Sequence, residues 1–326
     1  MKIREADARR FNDFSRAEPE TSIYQTSYWS DYMAEKGYRP SFIEAVNDEN
    51  LVLGLGMYLA KKESFLSNKF SAVVPHGFLI NYYDEDLYRA FHQQLLIYLN
   101  EHKITSLLIE PPINEDDILA EKMLKDLGYQ KIEDKIIYEE DVNTHVNAIS
   151  DPNIILKIRC ERDEKALETI CSGKADKEKL NIFRHLKGHA AVYVARLDTV
   201  KSNRAIQYNS AQIAAFIEEH RKDYKFADEI AAKEKEAERL KKLSSAIRKL
   251  SENPDFAAIC VSEFSDKCSI IFEVNNDKDD LFHAENAIID QICADQQNRG
   301  IIKIDSEEKF ACSKERKLLG RFLLKI

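Results

Sequence analysis

The side chains that most often carry chemistry are sparsely patterned here. The six cysteines, Cys160, Cys171, Cys260, Cys268, Cys293 and Cys312, contain no CxxC pair, so neither a zinc nor an iron–sulfur site is expected. Most stand among apolar neighbours, as in AAICVSEF and DQICAD, and read as reduced core thiols. His185 and His189 are four apart, but Gly188 lies between them and no carboxylate stands at ligand spacing. No metal is expected there. A convincing Ser/His/Asp or Cys/His set is missing, as are GxGxxG and GxxxxGK[ST] loops, which argues against nucleophilic catalysis and the common nucleotide folds. The remaining signal is charge. From Ala231 to Leu250, Lys233, Lys235, Arg239, Lys241, Lys242, Arg248 and Lys249 stand against Glu234, Glu236 and Glu238. Such a stretch is either a solvated helix face or a landing strip for an anionic partner such as RNA.

That local excess contrasts with the whole. The 326 residues are 44% hydrophobic and 32% charged, with a formal charge of −9, only 9 glycines and 7 prolines. A disordered or collagenous chain is excluded, and generic affinity for a phosphate backbone is disfavoured. The length suggests two units. The start, MKIREADARRF, is too charged for a signal peptide, and no run reaches the roughly 20 apolar residues of a membrane span. A cytoplasmic location is expected.

The elements that must position any site alternate between strand and helix. Residues 1–8 suit a strand and ARRFNDFSRAE a short amphipathic helix, and a helix opening at residues 27–29 stops at Gly37. Two β-rich runs flank the turn residues 47–50, and FSAVVPHGFLIN is a third strand region broken by Pro75 and Gly77. Helix, strand, helix and strand follow, with TSLLIEPPI stopped by two prolines and the next helix ended by Gly128. This order predicts an α+β fold of the acyltransferase type. The second half echoes it at an offset of 194: Leu87 matches Leu281, Leu108 matches Ile302, Leu95 matches Ile289 and Leu99 matches Cys293. Two copies of one fold are expected, residues 1–145 and 146–326, with a ligand site in the cleft between them. A helical, coiled-coil-like arm over 209–252 is inserted in the second, either as one rod or as a hairpin turning near Asp223–Asp228.

On specific strings the sequence resembles the FemABX family. IYQTSYWSDYMAEKGYRP is similar to that family's Q-S/T-x-x-W motif, with a lysine and a Gly-aromatic pair after it. VVPHGFLINYYDEDLYRAF, LLIEPPI and IFRHLKGHAAVYVARLD resemble three further family segments. The resemblance implies two tandem GNAT-like domains (the acyl-CoA N-acyltransferase type) carrying a helical arm. It implies an aminoacyltransferase of cell-wall synthesis that moves an amino acid from aminoacyl-tRNA to the stem peptide of a peptidoglycan precursor. The implied partners are aminoacyl-tRNA as co-substrate and a UDP-muramyl peptide or lipid-linked precursor, with peripheral membrane association left open and no cofactor.

The resemblance also assigns residues. Lys36 and Arg159 are expected to bind the precursor, Glu110 to accept the attacking amine's proton, and Lys325 to serve catalysis. Lys241, Lys242, Arg248 and Lys249 are expected to face tRNA. Trp29, the single tryptophan, reads as a core anchor. Two rivals stand beside this reading. An acyl-CoA-dependent N-acyltransferase is disfavoured by the missing Q/R-x-x-G-x-G/A loop. A catalytically degenerate binding protein of the same fold is favoured by departures such as His76 for arginine.

Overall fold

The computed structural model describes residues 1–18, 21–171, 174–186, 188–250, 255–276, 280–301 and 303–326. In chain order the first unit runs β1 (Lys2–Glu5), α1 (Ala8–Ser15), α2 (Ser27–Glu35), β2 (Arg39–Val46), β3 (Val52–Lys62), β4 (Phe70–Val74), α3 (Glu85–Glu101), β5 (Ile104–Ile109), α4 (Ile118–Asp126) and β6 (Gln130–Asp141). The second runs β7 (Leu156–Glu161), α5 (Lys165–Ile170), α6 (Lys174–His185), β8 (Ala190–Leu197), α7 (Thr199–His220), α8 (Ala227–Leu250), β9 (Asp255–Phe264), β10 (Lys267–Asn275), α9 (Ala284–Asn298), β11 (Lys303–Ser306) and β12 (Lys314–Lys325). Five helices start on a side-chain cap: Asp7, Thr26, Asp84, Asp117 and Asp198 each accept from a backbone N–H of the first turn. Each cap contributes about 1 kcal/mol and fixes where its helix begins.

The described strands form one twelve-stranded sheet in the order β1-β2-β3-β4-β5-β12-β6-β11-β10-β9-β8-β7. The α+β class expected from the sequence holds, and so does the repeat. In each unit an antiparallel meander leads into one parallel pair, β4–β5 in the first and β10–β11 in the second. A helix makes each crossover, α3 and α9, as parallel strands require. Leu95 and Ile289 are both buried, as are Leu99 and Cys293. Ile302, the expected match of Leu108, lies outside the described residues.

The boundary at 145/146 needs correction, because the units exchange their last strands. β6 ends the first unit yet pairs with β11 of the second, while β12 ends the second yet pairs with β5 of the first. β6 and β12 themselves pair antiparallel in the centre. The physical reason is apolar patterning: Leu319, Phe322 and Leu324 of β12 are buried in the first unit's core. Residues 1–145 therefore lack a central strand until the chain's last segment arrives.

The arm is a hairpin. Asp198 caps α7 at Thr199, ten residues earlier than the expected start at 209, and a short 3-10 turn at Tyr224–Phe226 reverses the chain into α8. Leu240, Leu243 and Ile247 of α8 pack with Ile206 and Ile213 of α7 onto the second core. Three cysteines, Cys260, Cys268 and Cys293, are buried as expected, but Cys160 and Cys312 are exposed. Among the described residues no helix is long and apolar enough to cross a membrane.

Candidate functional site in the cleft between the two units

The two parallel pairs point their C-terminal ends at one another. β5 and β11 run oppositely on either side of the central β12–β6 pair, and each is followed closely by a glutamate, Glu110 and Glu307. The C-terminal ends of parallel strands are where ligands bind in open sheets, since the chain splays apart there. Both carboxylates converge on one ammonium from β6. Lys135 Nζ donates to Glu110 Oε2 at 2.6 Å and to Glu307 Oε1 at 2.9 Å. Lys135 is buried, as is Glu110, whose second oxygen accepts from Arg321 Nε at 2.6 Å.

Arg321 reaches Glu110 because β12 is bulged. Its pairing with β6 shifts between Leu318 and Arg321, where Gly320 adopts φ +100°. A Cβ on Gly320 would lie 2.1 Å from the carbonyl oxygen of Glu133, so only glycine fits.

The opposite wall comes from the first 80 residues. Gln25 donates to the carbonyls of Met57 and Pro75 and accepts from the Met57 N–H, tying β3 to the turn after β4. That turn holds His76 at φ 55° and Gly77 at φ 69°, packed against Pro111 and Pro112. His76 thus stacks on Tyr24 (4.7 Å, 8°) and contacts Glu307 through Nε2 at 3.2 Å. Trp29, on α2, meets Tyr24 edge-on at 4.7 Å and is partly buried against apolar clusters of both units.

Electrostatics follow from these contacts. Burial opposes the charged form of Glu307, but His76 and Lys135 outweigh it and hold its carboxyl far below the usual range. Burial raises Tyr24 well above an ordinary phenol, and the charges of Glu307 and Asp305 add to this. Burial likewise raises Asp305, against the opposing hydrogen bond from Ser269 and the charge of His76. Tyr24, His76, Asp305 and Glu307 line a cavity of ≈ 210 Å³ together with Lys267, Lys303, Arg316 and Glu139, while Lys135 and Glu110 stand behind its wall. Binding pockets for drug-sized ligands run to about 300–1,000 Å³. The enclosed part is small beside that range, with room for a group the size of an aminoacyl moiety.

Of the residues singled out in the sequence for catalysis or precursor binding, only Glu110 comes near this cavity, joined to its wall through Lys135 and Glu307. Lys325 pairs with Ser106 at the far end of β5, about 13 Å along the strand from Glu110 at ~3.3 Å per residue. Arg159 sits on β7, the edge strand, in a bidentate pair with Asp255 at 2.8 and 2.6 Å. Lys36 caps α2 and holds Glu178 at 2.7 Å, an inter-unit tether that Tyr32 Oη shares. His185 and His189 are tethers of the same kind, contacting Glu35 and Arg16 of the first unit. Sequence reading missed Lys135 and Glu307. Lys135 follows Glu133 and Asp134 in a charged stretch that reads as solvated, and becomes informative only once β6 is known to be central.

The arm's four candidates do share one face. Lys241 and Lys242 stand seven residues before Arg248 and Lys249, two helical turns, and all four are exposed. Lys241 leans on Glu238 at 3.8 Å. Arg239, by contrast, is occupied by Asp151 and Glu236.

Residues 7–137, within the first unit, match the model of the FemAB family. A solved structure described as FemX matches the whole chain, covering 100% of it and 98% of that protein, with a TM-score of 0.72 at 14% identity. The first unit and its second copy thus share their fold with FemX. Two other matches are more distant. A GCN5-related glucosamine N-acetyltransferase region of a fungal multi-domain β-N-acetylglucosaminidase has a TM-score of 0.45 and 10% identity, covering 98% of this chain and 37% of that one. A GCN5-related N-acetyltransferase from Sphaerobacter thermophilus has a TM-score of 0.41 and 8% identity, covering 99% and 95%. No curated protein matches the sequence.

Proposed function

We propose that this protein is an aminoacyltransferase that moves an amino acid from aminoacyl-tRNA to the stem peptide of a peptidoglycan precursor. The match of its first unit to the FemAB family model and its FemX-like fold support a transferase. The observation that carries the finer reading is a cavity with room for an aminoacyl group, lined by His76 and Glu307 and backed by the Glu307–Lys135–Glu110 bridge.

The chemistry asked of such a site is modest. The acceptor amine attacks the ester carbonyl carbon, the carbonyl oxygen takes the negative charge, and collapse breaks the bond to the ribose oxygen. Lys135 is suited to position Glu307 at the cavity wall, because it is buried and held in place by two carboxylates. Glu110 and Arg321 act as positioning groups for Lys135. The His76–Glu307 pair lies where the proton lost by the amine can be received. The exposed stripe of Lys241, Lys242, Arg248 and Lys249 supplies the phosphate contacts for tRNA. Transfer of a labelled amino acid from a charged tRNA pool to a UDP-muramyl peptide tests this reading. Lys135→Met is expected to lower transfer about 10²-fold, the cost of a catalytic group misplaced by about 1 Å.

One observation favours a second reading. Both oxygens of Glu110 are occupied by internal cations, as an inert structural cluster would have them. A protein that binds the precursor tightly, transfers nothing from any charged tRNA and leaves acetyl-CoA unused would be a silent binding member of the fold.

A further inference from the structure

We infer that the β3–β4 hairpin is a docking tip for an anionic lipid bilayer; this stands on the hairpin itself and not on the transferase reading. The turn is closed by the Ser67 N–H donating to the Ser64 carbonyl at 3.2 Å, leaving Phe65 and Leu66 at its apex. Phe65 is 95% exposed and Leu66 93%, so neither packs on the protein. Two adjacent apolar side chains held entirely in water at a hairpin apex stabilise nothing in the fold, where an exposed leucine with partial cover would need no explanation.

The surroundings say what covers them. Lys62 and Lys69 flank the apex three residues to either side, about 7–10 Å back along the strands at ~3.3 Å per residue. That offset matches the roughly 5–10 Å over which an interfacial segment passes from acyl chains to headgroups. Behind them the same end of the sheet carries Lys61, Lys103 and Arg39. Lys103 receives the Phe70 N–H on its carbonyl, and Arg39 lies over the Phe70 ring at 4.9 Å. Three carboxylates stand nearby, of which Glu63 accepts from Thr105 and Glu5 contacts His102 at 3.8 Å; Glu101 is the third. This is local positive charge on a chain of net −9, so the attraction to anionic headgroups is a property of this end and not of the whole. A protein partner fits less well. Two side chains offer roughly 350 Å² at about 150–250 Å² each, well short of the ~1,000 Å² of a specific interface.

The test is co-sedimentation of the full chain with vesicles of phosphatidylcholine containing about 30% phosphatidylglycerol, against pure phosphatidylcholine. Binding is expected to the anionic vesicles only and to fall steeply as salt is raised. Phe65→Ser with Leu66→Ser should weaken partitioning by at least about tenfold, because the apolar transfer free energy of both side chains is removed. Lys62→Gln with Lys69→Gln should weaken it by about 25-fold, each lysine near an anionic surface being worth about fivefold. The apex side chains stand in water, so these variants should melt as the parent does. Phe65→Trp should show a blue-shifted emission on anionic vesicles relative to the parent. Absence of vesicle binding by the parent, binding unchanged in the Phe65/Leu66 variant, or no blue shift would each overturn the assignment and return the tip to a protein partner.

Discussion

At the scale of single residues the site is a chain of contacts, Arg321–Glu110–Lys135–Glu307–His76. Removing Glu110 leaves the buried Lys135 with one carboxylate in place of two. Glu110→Ala should therefore cost about 3 kcal/mol of stability as well as activity, whereas Lys325→Ala should change neither beyond about 0.5 kcal/mol. Chemical denaturation and transfer assays of the two variants decide this. A second buried cluster sets a pH dependence. His145 contacts Glu140 through Nδ1 at 3.0 Å and Asp290 through Nε2 at 2.8 Å. Burial disfavours its charged form, but the hydrogen bonds to Asp290 and Glu140 prevail and raise its pKa above the ordinary 6.5. A group whose pKa rises on folding binds protons more tightly in the native state. Its contribution is thus complete below about pH 6.5 and is lost as pH climbs through the raised value. His145→Gln should flatten the fall in melting temperature between mildly acidic and alkaline buffer; an unchanged slope would place the titration elsewhere.

At the scale of elements, much was legible. Apolar periodicity and caps located the helices, and the echo between α3 and α9 correctly announced two copies of one fold. The partner of β12 was not legible, because GRFLLKI reads as a strand wherever it is placed and pairing between residues 200 apart leaves no local trace. Lys325 is named for catalysis by the family resemblance alone, and without the partner of β12 nothing in the sequence singles out Lys135. The arm's hairpin was left open because the polar stretch at Asp223–Asp228 permits either a rod or a turn. The bulge at Gly320 is the element-level device that turns Arg321 inward. Gly320→Ala must strain the backbone and displace Glu133, so a loss of at least ~2 kcal/mol is expected, with transfer falling alongside. A melting temperature equal to the parent's would show that β12 relaxes around the methyl group. On the arm, reversing Lys241, Lys242, Arg248 and Lys249 should weaken tRNA binding. It should also shallow the salt dependence by about 0.7–0.9 in log–log slope for each phosphate no longer neutralised. An unaltered slope would make that face purely structural.

At the scale of the molecule, the exchanged strands make two units into one mechanical body. Neither can close its sheet alone, so unfolding should be a single event. Emission from Trp29, which sits in the first unit, and circular dichroism from both should give coincident denaturation midpoints. Two separated transitions would mean that the first unit holds without β12. The same exchange bears on how the protein is made. A ribosome finishes β6 early, then must add about 170 further residues before β12 exists, roughly 10–35 s at 5–20 residues per second. For that interval the nascent first unit has β5 and β6 but not the strand that lies between them, and their edges are open to any passing strand. Newly synthesised chains, more than finished ones, should therefore be the form that chaperones hold and that proteases find.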